Sequence, residues 1–172
     1  PEEDLAVSLV AAGSEEERAR LLGAAPGLLN AFLARTLNAV GHQKRADGSY
    51  AEALEYFNLG LKIAERVGSQ RDSIDALNGL GETHQLQSNY TRANQFFEHS
   101  LNLSQKEGNK SDIGRALASL ADVKRLQGGY EQSLELAQRA LALAEDVGDK
   151  AVMAQALNTM ARVYFPRGHY ES

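Results

Sequence analysis

Four tyrosines, Tyr50, Tyr90, Tyr130 and Tyr170, stand at intervals of forty residues, and much of the chain between them repeats in step. Gly68, Gly108 and Gly148 keep the same interval, as do the pairs Ala76–Leu77, Ala116–Leu117 and Ala156–Leu157. Leu61, Leu101 and Leu141 follow it too, and so do Ala53, Ala93 and Ser133. Agreement at this many positions is internal repetition, and a period of this length marks a stacked-repeat architecture. In such a chain one unit cannot bury its apolar face alone, so neighbouring units must stack.

Each period reads as two helices. Residues 70–87 place Ile74, Leu77, Leu80, Gly81 and His84 on one face at three- and four-residue spacing. After a break at Ser88–Asn89, residues 90–106 place Tyr90, Ala93, Phe97, Leu101 and Ser104 on another. Gly68, Gly108 and Gly148 are predicted to end the second helix in a left-handed conformation. Ser69, Asn109 and Asp149 then stand as N-caps for the next helix. Gly48–Ser49, Ser88–Asn89 and Gly128–Gly129 are predicted tight turns within the hairpin. Close helix approach requires short side chains, which Gly41, Gly81, Ala121 and Ala161 supply on the first helix. Ala53, Ala93 and Ser133 supply them on the second. Ala and Leu dominate the composition and only three Pro occur, which favours helix throughout.

The order Leu–x–x–Leu–Gly followed by Gly–x–Tyr–x–x–Ala–x–x–x–Phe resembles the tetratricopeptide repeat. Leu77, Leu80, Gly81, Tyr90, Ala93 and Phe97 carry it here, with Gly48 and Gly128 at the turn. The forty-residue period is similar to the longer-helix subclass of kinesin light chains, Leu-Gly-Asn scaffolds and bacterial regulatory arrays. The resemblance implies an all-α fold: a right-handed α-solenoid of stacked antiparallel helical hairpins, the TPR superhelix. It covers residues 34–172, as repeats 34–73, 74–113 and 114–153 and a truncated 154–172. Residues 1–33 lie outside it and are expected to form an N-terminal helical cap. They contain a helix over Asp4–Ala12 and a capping box at Ser14–Glu17 opening a second helix to about Leu22. Pro26 is expected near the start of the first repeat helix.

In the family, first helices line a concave, peptide-binding groove. Transferred to this chain, those positions are Arg35, Asn38, His42 and Arg45, then Asp75, Asn78, Glu82 and Gln85. Arg115, Ser119, Asp122 and Arg125 follow from repeat three, and Asn158 and Arg162 from repeat four. Asn38, Asn78 and Asn158 share one repeat position, interrupted by Ala118, and an amide suits the unpaired backbone of an extended peptide. The five arginines outnumber the acids Asp75, Glu82 and Asp122, giving a locally basic groove in a chain of net charge −5. Guanidinium forks bind carboxylates, so the expected ligand is an acidic or polar extended segment. The Lys/Asn clamp that binds chaperone C-termini is not carried by Asn38–x–x–x–His42 or Ala118–x–x–x–Asp122. His42 and Glu82 also stand where Leu-Gly-Asn scaffolds have Asn.

The net acidity argues against broad binding to nucleic acid or anionic membrane, and no apolar run is long enough to span one. With no Cys, no His-Glu-x-x-His, no phosphate loop and no nucleophile elbow, neither an enzyme nor a cofactor is expected. His84 reads as a packed residue, His42 as groove-facing, His99 as exposed, and His169 as part of the turn before Tyr170. Cytoplasmic location is the default expectation. The second helix of repeat four is missing, so 153–165 is expected to lack cover, to dimerise through that end, and to belong to a longer array. Pro166 is expected to end or kink that helix early. Three roles are compatible with these residues: a peptide-binding scaffold, a regulatory or sensor segment attached to a protease, signalling or transcription-factor effector, and a self-assembly module.

Overall fold

The computed structural model describes residues 2–165, the side chain of Glu15 excepted; Pro166, His169 and Tyr170 lie outside them. The described residues form α1 (Glu2–Ala11), α2 (Glu15–Ala24), α3 (Ala31–Ala46), α4 (Tyr50–Val67) and α5 (Gln70–Leu86). They continue as α6 (Tyr90–Glu107), α7 (Lys110–Leu126), α8 (Tyr130–Val147) and α9 (Lys150–Tyr164). Two compact units are defined, residues 1–87 and 88–172.

The helix ends follow the repeat. Gly68, Gly108 and Gly148 each adopt φ 72°, in the left-handed region. At the first of these, Ser69 N–H donates to Ala64 O (2.8 Å) and Gly68 N–H to Glu65 O (3.2 Å), closing a Schellman motif. Asn109 and Asp149 then cap α7 and α9, each accepting from two backbone N–H groups. Ser69 departs from the expectation. It occupies the cap position of α5, but its hydroxyl donates to Asp72 Oδ2 (2.5 Å) and accepts from no backbone amide. In the hairpin turns Gly48 and Gly128 have φ 79° and 83°, and Ser88 takes φ 60° at the same repeat position without glycine's freedom.

In the first unit, Leu5 and Leu9 of α1 join Leu33 and Leu37 of α3 and Tyr56, Leu59 and Ile63 of α4 in one buried cluster. Leu21 and Leu22 of α2 pack against its margin. The capping box forms in altered register: Glu17 N–H donates to Ser14 Oγ (3.1 Å), but Glu17 Oε2 accepts from Gly13 N–H (3.0 Å), the residue before the N-cap. Pro26 does not open the first repeat helix. It begins a separate 3-10 turn, Pro26–Leu28, and α3 starts at Ala31 with Asn30 Oδ1 accepting from Leu33 N–H (3.0 Å). The reason is local: Asn30 is a strong N-cap and resets the helix after the proline turn.

Phe57 of α4 is fully buried, and glycines on both flanking helices admit its ring. A Cβ added at Gly41 of α3 would lie 2.9 Å from the ring, and one at Gly79 of α5 only 2.4 Å from it. In the second unit Ala93, Phe97, Leu120 and Val123 form one buried cluster. Leu117, Ala118, Ala140, Ala144, Val152 and Ala156 form another. Ser133 of α8 donates its hydroxyl to Ala121 O of α7 (2.8 Å), so the two helices approach where both positions are small.

Candidate protein-binding surfaces

In the first unit α3 and α5 pack side by side, and several of the sequence-predicted positions fall along their shared face in a row of polar side-chain pairs. Arg35 Nε donates to Asp72 Oδ1 (3.4 Å). Two turns further along α3, His42 Nε2 lies 3.2 Å from Asp75 Oδ1, with the ring edge-on to Phe57. Another turn on, Arg45 pairs with Glu82. Burial pushes the Arg45 guanidinium below its ordinary value, and the charge of Asp75 opposes that shift. Asp72 is buried, held by Arg35 and by the Ser69 hydroxyl.

The asparagines are not offered to a ligand as the sequence suggested. Asn38 is buried and donates Nδ2–H to Asp72 O (2.8 Å), while its Oδ1 is packed against Gly60, where an added Cβ would sit 2.2 Å away. Asn78 is buried as well, and neither of its amide atoms has a hydrogen-bond partner. Only Asn158, on α9, is exposed. Glu82 and Gln85 are half-buried on α5.

In the second unit Arg125 donates Nε–H and Nη2–H to Asp122 Oδ1 (2.9 and 2.6 Å). Arg115 lies 3.7 Å from Asp112. Gln155 Nε2 of α9 donates to Ser119 Oγ of α7 (3.4 Å), and Ser119 is itself buried. Arg162 is exposed on α9. With Asp72 and Asp112 counted among the acids, four of the five arginines face a carboxylate, so these surfaces are charge-balanced rather than basic. Asp72 and Asp112 were not among the groove positions transferred from the family, which begin one turn later on each first helix. Their shared repeat position, one turn before the groove residues, was the available signal.

Outside this face, His84 is buried and His99 exposed. Among the described residues no group of three or more His, Asp or Glu side chains is placed to hold a metal ion. No described helix is long and apolar enough to cross a membrane.

Antiparallel hairpins joined by a tight turn, repeating every forty residues, define a helical-repeat scaffold, a class that works by binding other proteins. A family model for the tetratricopeptide repeat matches residues 32–106 and again 112–172, most of the chain, and the chain belongs to that family. The fold is accordingly an all-α solenoid of helical hairpins. BtubC from P. vanneervenii is similar in structure: 16% identical, TM-score 0.70, over 95% of this chain and 64% of that one. Aspartyl phosphate phosphatase F from Bacillus subtilis matches 94% of this chain at 13% identity and TM-score 0.74, over 44% of its own length. A signal-transduction ATPase with a tetratricopeptide-repeat sensor, from Pyrococcus horikoshii, matches at 19% identity and TM-score 0.69, over 26% of its length. The chain thus spans less than two thirds of each. No curated protein matches the sequence.

Proposed function

We propose that this protein is a non-catalytic, cytoplasmic interaction module that takes an extended, acidic or polar peptide segment along the first-helix faces of each of its two units. Residues 1–33 act as the cap of the array, 34–172. The observation that carries the reading is the unequal engagement of the groove arginines. Arg45 and Arg125 are mostly buried in their pairs, whereas the side chains of Arg35 and Arg115 remain 59% and 45% exposed and hold their acids at 3.4 and 3.7 Å. Loosely held, exposed forks can exchange an intramolecular carboxylate for a ligand carboxylate at little cost, since exposed pairs are worth about 0–1 kcal/mol. Arg162 adds a third exposed guanidinium on α9.

The test is fluorescence anisotropy with a labelled twelve-residue Asp/Glu/Ser peptide. Arg35→Glu together with Arg115→Glu is expected to weaken binding about tenfold, near 1.4 kcal/mol, and Arg125→Glu to weaken it less. Affinity unchanged in the double variant, or no binding by the parent chain, would overturn the reading. A second reading, a sensor or regulatory segment of a larger protein, is favoured by the similarity to a tetratricopeptide-repeat sensor joined to an ATPase and to an aspartyl phosphate phosphatase.

A further inference from the structure

Within the row of pairs between α3 and α5, His42 differs from the rest, because histidine is the side chain that ordinarily changes charge between about pH 5 and 8. Both of its ring nitrogens are engaged. Nε2 lies 3.2 and 3.3 Å from the two Asp75 oxygens, and Nδ1 lies 3.4 Å from Arg45 Nη2. A guanidinium can only donate, so Nδ1 must accept, and it can accept only without a proton. The proton of the neutral ring therefore sits on Nε2 and is donated to Asp75. The two neighbours fix one tautomer.

Protonation would set an Nδ1–H against the N–H of Arg45, two donors with no acceptor between them. Burial already works against the Arg45 charge, and a second cation beside it adds to that cost. The groups packed around the ring are otherwise committed. On α5, Glu82 is paired with Arg45, and Asp72 with Arg35. On α4, Phe57 presents an uncharged ring, Glu52 pairs with Lys44, and Tyr56 acts on that same lysine.

The charge of the row sets the direction of the effect. Arg35 and Arg45 face Asp72, Asp75 and Glu82, so with a neutral His42 the row carries one net negative charge and repels an anion. A protonated His42 cancels that charge and leaves Nδ1–H in need of an acceptor. The His42 and Asp75 side chains are 36% and 41% exposed, so a ligand carboxylate can reach this turn and supply one.

We propose that His42 makes the binding of acidic peptides by the first unit pH-dependent: protonation of its ring strengthens binding, and a bound carboxylate in turn favours the protonated ring. This regulation rests on the peptide-binding reading above.

The labelled Asp/Glu/Ser peptide is titrated into the whole chain by anisotropy at about pH 8 and about pH 6, a range in which its carboxylates stay ionised. Affinity is expected to rise about three- to tenfold at the lower pH. His42→Gln, whose amide can donate to Asp75 and accept from Arg45 but takes no proton, should remove that rise while circular dichroism shows the fold retained. His99→Gln, at an exposed position, should keep it. Imidazole nitrogen chemical shifts at about pH 8, with His42 assigned by its loss in His42→Gln, should show Nδ1 unprotonated. A proton on Nδ1 at that pH overturns the proposal, as does equal affinity at the two pH values or a rise that survives His42→Gln. Absence of binding at both pH values would instead sink the peptide reading itself, and this regulation with it.

Discussion

Gly79→Ala isolates the steric argument about Phe57. In an exposed helix interior, Gly to Ala is favourable by about 1 kcal/mol, because glycine loses more backbone entropy on folding. At Gly79 the added methyl would stand 2.4 Å from Cε1 and Cζ of Phe57, more than 1 Å inside ordinary carbon contact. The ring has little room to retreat, since it is fully buried, with Gly41 of α3 also in contact with it and His42 edge-on at a centroid distance of 4.9 Å. Overpacking of this kind costs about 1–3 kcal/mol, so Gly79→Ala should destabilise by about 1–2 kcal/mol net of the propensity gain. Gly41→Ala, with its methyl at 2.9 Å, should come closer to neutral.

The decisive measurement is a double-mutant cycle in guanidinium unfolding. Phe57→Ala alone should cost about 3–5 kcal/mol. In that background the obstacle is gone, and Gly79→Ala should become stabilising by about 1 kcal/mol. The coupling between the two sites is then about 2–3 kcal/mol, far above the additivity error for independent sites. If Gly79→Ala stabilises the parent chain, or destabilises both backgrounds equally, the fit of ring against glycine is not what fixes α4 between α3 and α5.

Other outcomes follow from single residues. Ser88 holds φ 60° where its repeat counterparts are glycine, so Ser88→Gly should raise the unfolding midpoint by about 0.5–1 kcal/mol equivalent; a drop would count against strain at that turn. Asn38→Ala removes the buried amide that donates to Asp72 O and should cost about 1–3 kcal/mol, with faster amide exchange in the first turn of α5. The Asp149 carboxylate is held below its ordinary value of 3.8, first by the Ser111 hydroxyl and then by the N–H of Val152. A depressed carboxylate stabilises above its unfolded value, and that contribution is lost as pH falls through the folded one. The stability gap between parent and Asp149→Asn should therefore be largest at neutral pH and shrink below about pH 4; a gap that does not change with pH would refute this.

The repeat was legible because its markers report backbone requirements. A left-handed glycine after each second helix and an Asn or Asp cap before the next first helix have few substitutes, so Gly68, Gly108, Gly148, Asn109 and Asp149 act as expected. The surface was less legible. Exposure depends on which side of a first helix its neighbour covers, and a shift of one position moves a side chain about 100° around the axis. Asn38 was read as facing a ligand, but it is turned inward and binds the backbone of α5. The excess of arginine likewise dissolved once Asp72 and Asp112 were placed beside Arg35 and Arg115: the first pairing joins α3 to α5 and is created by helix stacking, whereas the second is an i,i+3 pair within α7 that sequence spacing already displays.

The inward turn of Asn38 and the glycines around Phe57 act on the same joint. Asn38 of α3 donates to the backbone of α5 and packs its oxygen on Gly60 of α4, so one side chain touches all three helices that meet there. Phe57 does the same from α4, reaching Gly41 of α3 and Gly79 of α5. A ring that admits no methyl and an amide that needs one particular carbonyl both penalise sliding of α5 along α3, which hydrophobic contacts alone would tolerate. The pairs Arg35–Asp72, His42–Asp75 and Arg45–Glu82 lie across that same boundary and depend on its register. The buried joint therefore sets which charges meet on the surface, and a partner that reads those charges reads the register of the repeat.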